Sequence, residues 1–157
     1  MTTTHDATTR HATFTIERHY PATPRRVFDA WADPRSKQSW FACHDDWRSE
    51  NYELDFRPGG HERVDTYPSD GGVAHRYSAT YYDIVLNERI IYAYDMYLGE
   101  TRISVSLATV EFAATDEGTK MTFTEQLILL DEYDDLEGRK EGTAAGLDNL
   151  GTVVSAS

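Results

Sequence analysis

The feature that most limits the fold is a series of turn-forming clusters spread through the middle of the chain. Arg57-Pro58-Gly59-Gly60, Pro68-Ser69-Asp70-Gly71-Gly72, Leu86-Asn87-Glu88-Arg89, Leu98-Gly99-Glu100 and Asp116-Glu117-Gly118 separate runs with strand-like texture. The runs predict six consecutive strands at about 48–56, 61–67, 74–85, 89–97, 102–114 and 119–129. Connections this short place each strand antiparallel beside the last, so the sheet is a meander.

The flanks complete the architecture. Phe14, Ile16, Arg18 and Tyr20 alternate with Thr15, Glu17 and His19 until Pro21, the period of an earlier strand. Thr23 followed by Pro24 opens a helix whose stripe is Val27, Phe28 and Trp31 and whose end is Asp33-Pro34; a second short helix runs from Arg35 to Phe41. At the other end, Ala144, Leu147, Leu150 and Val154 form the apolar stripe of a long helix over Arg139 to Val154. Neither the sheet nor that helix can hide its apolar side alone, so the sheet should curl around the helix in an α+β fold. Gly142, Gly146 and Gly151 each weaken a helix by roughly 1 kcal/mol relative to Ala. Their presence implies close backbone approach or space left open, and either suits a cavity under the helix.

Composition narrows the function. The chain of 157 residues fits one domain, read as 13–157 after a polar arm over 1–12, and its 10 Tyr, 6 Phe and 3 Trp exclude a disordered chain. A formal charge of −12 repels phosphates and anionic headgroups, so neither nucleic acid nor a membrane surface is an expected partner. The lone Cys43, the lack of an apolar leader and the lack of a membrane-length apolar run together predict a cytoplasmic protein. Self-association into a homodimer stays open.

Several wordings are similar to a known family. They are Pro24-x-x-Val27-Phe28-Asp29-Ala30-Trp31-x-Asp33-Pro34, Trp40-Phe41, Phe56-x-Pro58-Gly59-Gly60, Asp83-Ile84-x-x-x-Glu88-Arg89-Ile90 and Gly118-Thr119-x-Met121-Thr122. With the order of elements, they resemble the helix-grip (START-like, SRPBCC) superfamily, in the branch named after the activator of heat-shock protein 90 ATPase. The resemblance covers about Phe14 to Leu150. It implies a curved seven-stranded antiparallel sheet, two short helices after strand one, and a long C-terminal helix enclosing a cavity for a small hydrophobic or aromatic molecule. Where much of the branch has a Gly-Trp pair opening the last helix, this chain has Glu141-Gly142-Thr143, so ligand preference does not carry over. The co-chaperone that names the branch has a separate docking domain for which this chain has no room, so contact with the chaperone is not expected.

The residues offer few signatures of chemistry. His61-Glu62-Arg63-Val64-Asp65 imitates the start of a zinc motif, but it follows Pro-Gly-Gly in strand-like sequence and ends in Asp, so no metal is expected. Cys43-His44-Asp45-Asp46 reads as loop chemistry, and Asp131 to Glu137 as a solvated acidic loop without the ligand spacing of a calcium site. Phosphate-loop, dinucleotide, nucleophile-elbow and dithiol motifs are missing, and no cofactor is expected.

What remains is the interior. Glu125 shares strand parity with Met121, Phe123 and Leu127, and Arg102 shares it with Val110 and Phe112, so both should project inward and meet unless a bulge changes the register. The pair reads either as a strut between strands or as the polar anchor of a pocket. Tyr77, Tyr81, Tyr92 and Tyr94 read first as packing residues, with their inward parity left open. The expected ligand-binding set is Arg102, Glu125, Trp40, Phe123, Tyr81 and Leu147. Small-molecule binding is the first functional reading. The alternatives are a cyclase- or hydrolase-like enzyme using Glu125 as an internal acid, and a chaperone-associated interaction module.

Overall fold

The computed structural model describes residues 7–41 and 47–155. Strand β1 (Thr9–Tyr20) is followed by helices α1 (Pro24–Ala32) and α2 (Pro34–Phe41). Strands β2 (Arg48–Leu54), β3 (His61–Tyr67), β4 (His75–Val85), β5 (Arg89–Leu98), β6 (Thr101–Thr115) and β7 (Gly118–Leu130) come next, and α3 (Leu136–Ser155) follows them. The sheet order is β1-β7-β6-β5-β4-β3-β2 with every pair antiparallel, a meander whose last strand is flanked by the first.

Local chemistry explains the boundaries. Thr23 Oγ1 accepts from the Arg26 amide at 3.2 Å, and Pro24 occupies the first turn of α1, where no hydrogen bond is lost. At the β6–β7 hairpin, Gly118 has φ +147°, and a Cβ there would stand 2.1 Å from the Tyr20 carbonyl oxygen. Only glycine lets β1 pass that close. The last four residues of the polar arm expected over 1–12 are strand. Thr9 to Ala12 pair with Leu130 to Leu127, and Arg10 is ion-paired with Asp134, so backbone pairing outweighs their polar side chains.

Period-2 burial settles the inward parity of every central strand. Glu62 and Val64 on β3, Tyr77, Ala79 and Tyr81 on β4, and Ile90, Tyr92 and Tyr94 on β5 are buried. So are Ser104, Ser106, Ala108 and Val110 on β6, and Met121, Phe123, Glu125, Leu127 and Leu129 on β7. This concave layer packs against Val27, Phe28 and Trp31 of α1, Trp40 of α2, and Leu147, Leu150 and Val154 of α3. Among the described residues, no helix is long and apolar enough to cross a membrane.

Candidate functional site

The core is not filled between the sheet and α3. A cavity of about 480 Å³ lies there, with Trp31, Trp40, Phe41, Tyr77, Tyr92 and Phe123 in its wall and Leu147 on its helical side. The rings interlock: Trp31 and Trp40 meet edge-on at 4.8 Å, Phe41 and Tyr77 at 4.7 Å, and Tyr77 lies 4.8 Å from Tyr94. Such contacts fix ring orientation, so the wall is preformed.

The glycines of α3 divide by role. A Cβ added at Gly142 or Gly146 would meet nothing within 4 Å, and both residues line the cavity. At Gly151 a Cβ would come 3.1 Å from Tyr20 Cε1, and the Tyr20 hydroxyl donates to the Leu147 carbonyl at 2.7 Å. Open space and close approach therefore both occur on one helix.

One end of the cavity is polar. Glu125 Oε2 accepts from the Tyr94 hydroxyl at 2.7 Å, the Ser106 hydroxyl at 2.8 Å and Arg139 Nη1 at 3.4 Å. Arg139 Nη2 also donates to Ser104 Oγ at 2.7 Å, which ties the start of α3 to β6. The other oxygen, Glu125 Oε1, is buried and has no hydrogen-bond partner among the described residues, and the same holds for Trp31 Nε1. Burial, then the charge of Glu125, pushes the Tyr94 phenol well above its ordinary pKa, so it stays a donor at neutral pH.

A second polar cluster is centred on Glu62 and shares Tyr77 with the cavity wall. Lys37 Nζ on α2 donates to both oxygens of Glu62 on β3 at 2.9 and 3.0 Å, and both side chains are fully buried. Glu62 also accepts from the hydroxyls of Tyr52 at 2.8 Å, Tyr81 at 2.9 Å and Tyr77 at 3.5 Å. The ammonium lies against the rings of Phe41 at 4.3 Å and Trp31 at 5.0 Å, which are cavity-wall residues. Desolvation pulls the Lys37 pKa down, and the carboxylate opposes it. The sequence reading missed this cluster, although Glu62 shares parity with Val64 and Thr66. In the HExxH-like stretch, β3 turns His61 outward and Glu62 inward, so they do not share a face.

The expected site residues part company here. Trp40, Phe123, Glu125 and Leu147 line the cavity. Tyr81 is buried but lies outside the lining, with its hydroxyl committed to Glu62. Arg102 is a correction. The β5–β6 register slips between Met96 and Tyr97, with Ile103 as the extra residue, so Ile103 and Ser104 both serve the concave side and Arg102 is turned away. Its side chain is 52% exposed and lies 3.8 Å from Asp95, whereas Glu125 stands opposite Ala108 in the register. The cation that meets Glu125 is Arg139, whose side chain is 12% exposed. The Cys43-His44-Asp45-Asp46 stretch lies outside the described residues.

A curved antiparallel sheet gripping a terminal helix over an internal cavity defines a helix-grip protein. Residues 21–155 match the family described as Activator of Hsp90 ATPase homolog 1-like protein, and the chain belongs to that family. It is similar to a solved protein from Rhizobium leguminosarum, with 53% identity and a TM-score of 0.93 over 97% of this chain and 99% of that one. A solved protein from Rhizobium loti is 39% identical, with a TM-score of 0.85 over 93% of this chain and 99% of its own. An AHSA1-like protein from Aeromonas hydrophila shares the fold at 23% identity and a TM-score of 0.69, covering 92% of this chain and 93% of its own. No curated protein matches the chain.

Proposed function

We propose that the protein binds a small apolar or aromatic molecule in the space between the sheet and α3. The observation that carries this reading is the cavity of about 480 Å³ with an aromatic wall, beside which α3 places Gly142 and Gly146 instead of side chains. That volume is within the range of small-molecule sites, and an apolar wall with a few convergent polar groups is their usual construction. Two glycines in one helix weaken it, a cost that open space for a ligand would explain.

The test is a fluorescence titration with N-phenyl-1-naphthylamine, a neutral apolar probe, on the native protein and on Gly146→Leu. The substituted side chain has room to enter the cavity, so binding should be saturable in the native protein and lost in the variant while the fold is retained. Absence of saturable binding to the native protein would overturn the reading, as would equal binding to both.

A further inference from the structure

The residues of α3 that line the cavity fall into two rows. Gly138, Gly142, Ala145 and Asn149 are exposed and so border both the cavity and solvent, at spacings of four and three that keep them on one face of the helix. Inside that edge, Arg139, Thr143 and Gly146 also line the cavity and are half-buried. The Thr143 hydroxyl is spent on the Arg139 carbonyl at 2.9 Å. Arg139 is therefore the polar side chain that α3 offers just within the opening.

Its guanidinium has donors to spare. Of five N–H groups, the side chain uses Nη2 toward Ser104 at 2.7 Å and Nη1 toward the Tyr94 hydroxyl at 3.3 Å and Glu125 Oε2 at 3.4 Å. Nε has no acceptor among the described residues. Nor is that atom sealed in the core. The buried side-chain atoms without a partner are Trp31 Nε1, Asn87 Oδ1 and Glu125 Oε1, so Arg139 Nε, unpartnered but not among them, is accessible. The side chain is 12% exposed, and its guanidinium carbon lies 5.8 Å from the centre of the Tyr94 ring, which belongs to the cavity wall.

Charge narrows what can accept from this group. The contact of Arg139 with Glu125 is long, and Glu125 Oε2 has closer donors in Tyr94 at 2.7 Å and Ser106 at 2.8 Å, so the cation keeps capacity for another acceptor. A ligand carboxylate would add a second negative charge beside the buried Glu125, and a ligand ammonium has no lone pair to offer. A neutral carbonyl oxygen accepts without either penalty. Resting on the cavity-binding reading above, we propose that Arg139 is the recognition residue of the cavity, and that the ligand is a neutral, aromatic-bodied molecule whose carbonyl oxygen accepts from the guanidinium.

The probes are 2-acetylnaphthalene, 2-isopropenylnaphthalene, 2-naphthoate and 2-naphthylmethylammonium, each measured by equilibrium dialysis against the native protein and Arg139→Met. The first two have nearly the same shape and differ in whether an oxygen or a methylene group meets Arg139. The native protein should bind the ketone about tenfold more tightly than the hydrocarbon, because only the ketone can accept from the guanidinium. Both charged analogues should bind more weakly than the ketone. In Arg139→Met the ketone should lose its advantage over the hydrocarbon.

A ketone that binds the native protein no better than the hydrocarbon would overturn the proposal, and saturable binding of N-phenyl-1-naphthylamine would show that the cavity reading survives it. Tighter binding of the carboxylate or the ammonium than of the ketone would overturn it as well, as would a ketone preference that persists in Arg139→Met. Failure of every naphthalene probe together with N-phenyl-1-naphthylamine would remove both readings at once. The comparison within the native protein needs no variant, so it can overturn the proposal even if Arg139→Met does not fold.

Discussion

Lys37 and Glu62 form a two-pronged ion pair at 2.9 and 3.0 Å in which neither side chain reaches solvent. The pair joins α2 to β3, and three tyrosine hydroxyls close around the carboxylate. Geometry this complete offsets much of the desolvation of two charges, but it leaves each charge dependent on the other.

Breaking the pair should therefore be far more damaging than an exposed ion pair would suggest. Lys37→Met leaves the buried Glu62 without its cation, and should cost about 3–5 kcal/mol in denaturant melts. The double variant Lys37→Met, Glu62→Leu should recover part of that loss but not all, because the Tyr52, Tyr77 and Tyr81 hydroxyls then lack their acceptor. A loss below about 1 kcal/mol for the single variant would show that the pair is not buried in solution.

The α3 glycines should respond to alanine in opposite ways. At Gly142 and Gly146 the new methyl group meets open space, so each substitution should stabilise the fold by roughly 1 kcal/mol through helix propensity alone. At Gly151 the methyl group would press on Tyr20 at 3.1 Å, and that ring is held by its hydrogen bond to Leu147, so the gain should disappear or become a loss. Melting curves of the three variants measured side by side decide this. Equal stabilisation at all three positions would contradict the close approach of Tyr20.

Alkaline pH should unfold the protein through its buried phenols. Burial first, and nearby negative charge after it, raises the pKa of Tyr77, Tyr81, Tyr92 and Tyr94 above the unfolded value of 10.0. Above that pH the unfolded chain releases protons that the folded chain keeps. The stability these groups contribute is thus complete below about pH 10 and is lost above it, by up to about 1.4 kcal/mol per pH unit for each tyrosine. Lys37, whose pKa is lowered, contributes the opposite slope below its unfolded value of 10.5, but it is one group against four. Denaturant melts on either side of pH ~10, with tyrosinate absorbance recorded alongside, should show these phenolates forming only as the chain unfolds. Their titration in a protein that stays folded would refute the burial.

The contrast between the strands shows what a sequence can reveal about such a site. Alternation along β7 is unbroken from Thr119 to Leu129, so the inward position of Glu125 follows from period 2 alone. On β6 the same reasoning fails at one place. The extra residue Ile103 resets parity, and nothing in the run from Thr101 to Val105 marks where the slip occurs. Tyr81 was legible as packing but not as a partner of Glu62, because that depends on how β3 and β4 align. Lys37 was harder still. A helical lysine belongs outside by default, and its burial goes with the bond its ammonium makes to Glu62 on β3, which no local pattern encodes.

The partner of Glu125 can be settled by energetic coupling. Arg139→Met should cost about 3 kcal/mol, because it removes the cation from a buried carboxylate and also the link to Ser104. Combined with Glu125→Gln it should be markedly non-additive, since the second substitution removes the charge that the first leaves unpaired. Arg102→Ala should change stability by no more than about 0.5 kcal/mol, as its contact with Asp95 is exposed and long at 3.8 Å. Combined with Glu125→Gln it should be additive to within about 0.5 kcal/mol, the behaviour of residues that share no partner. Both cycles can be measured by denaturant melts on six proteins: the native chain, the three single variants and the two doubles. Coupling of Arg102 with Glu125 as large as that of Arg139 would mean that the bulge at Ile103 is absent in solution and that Arg102 faces the cavity after all.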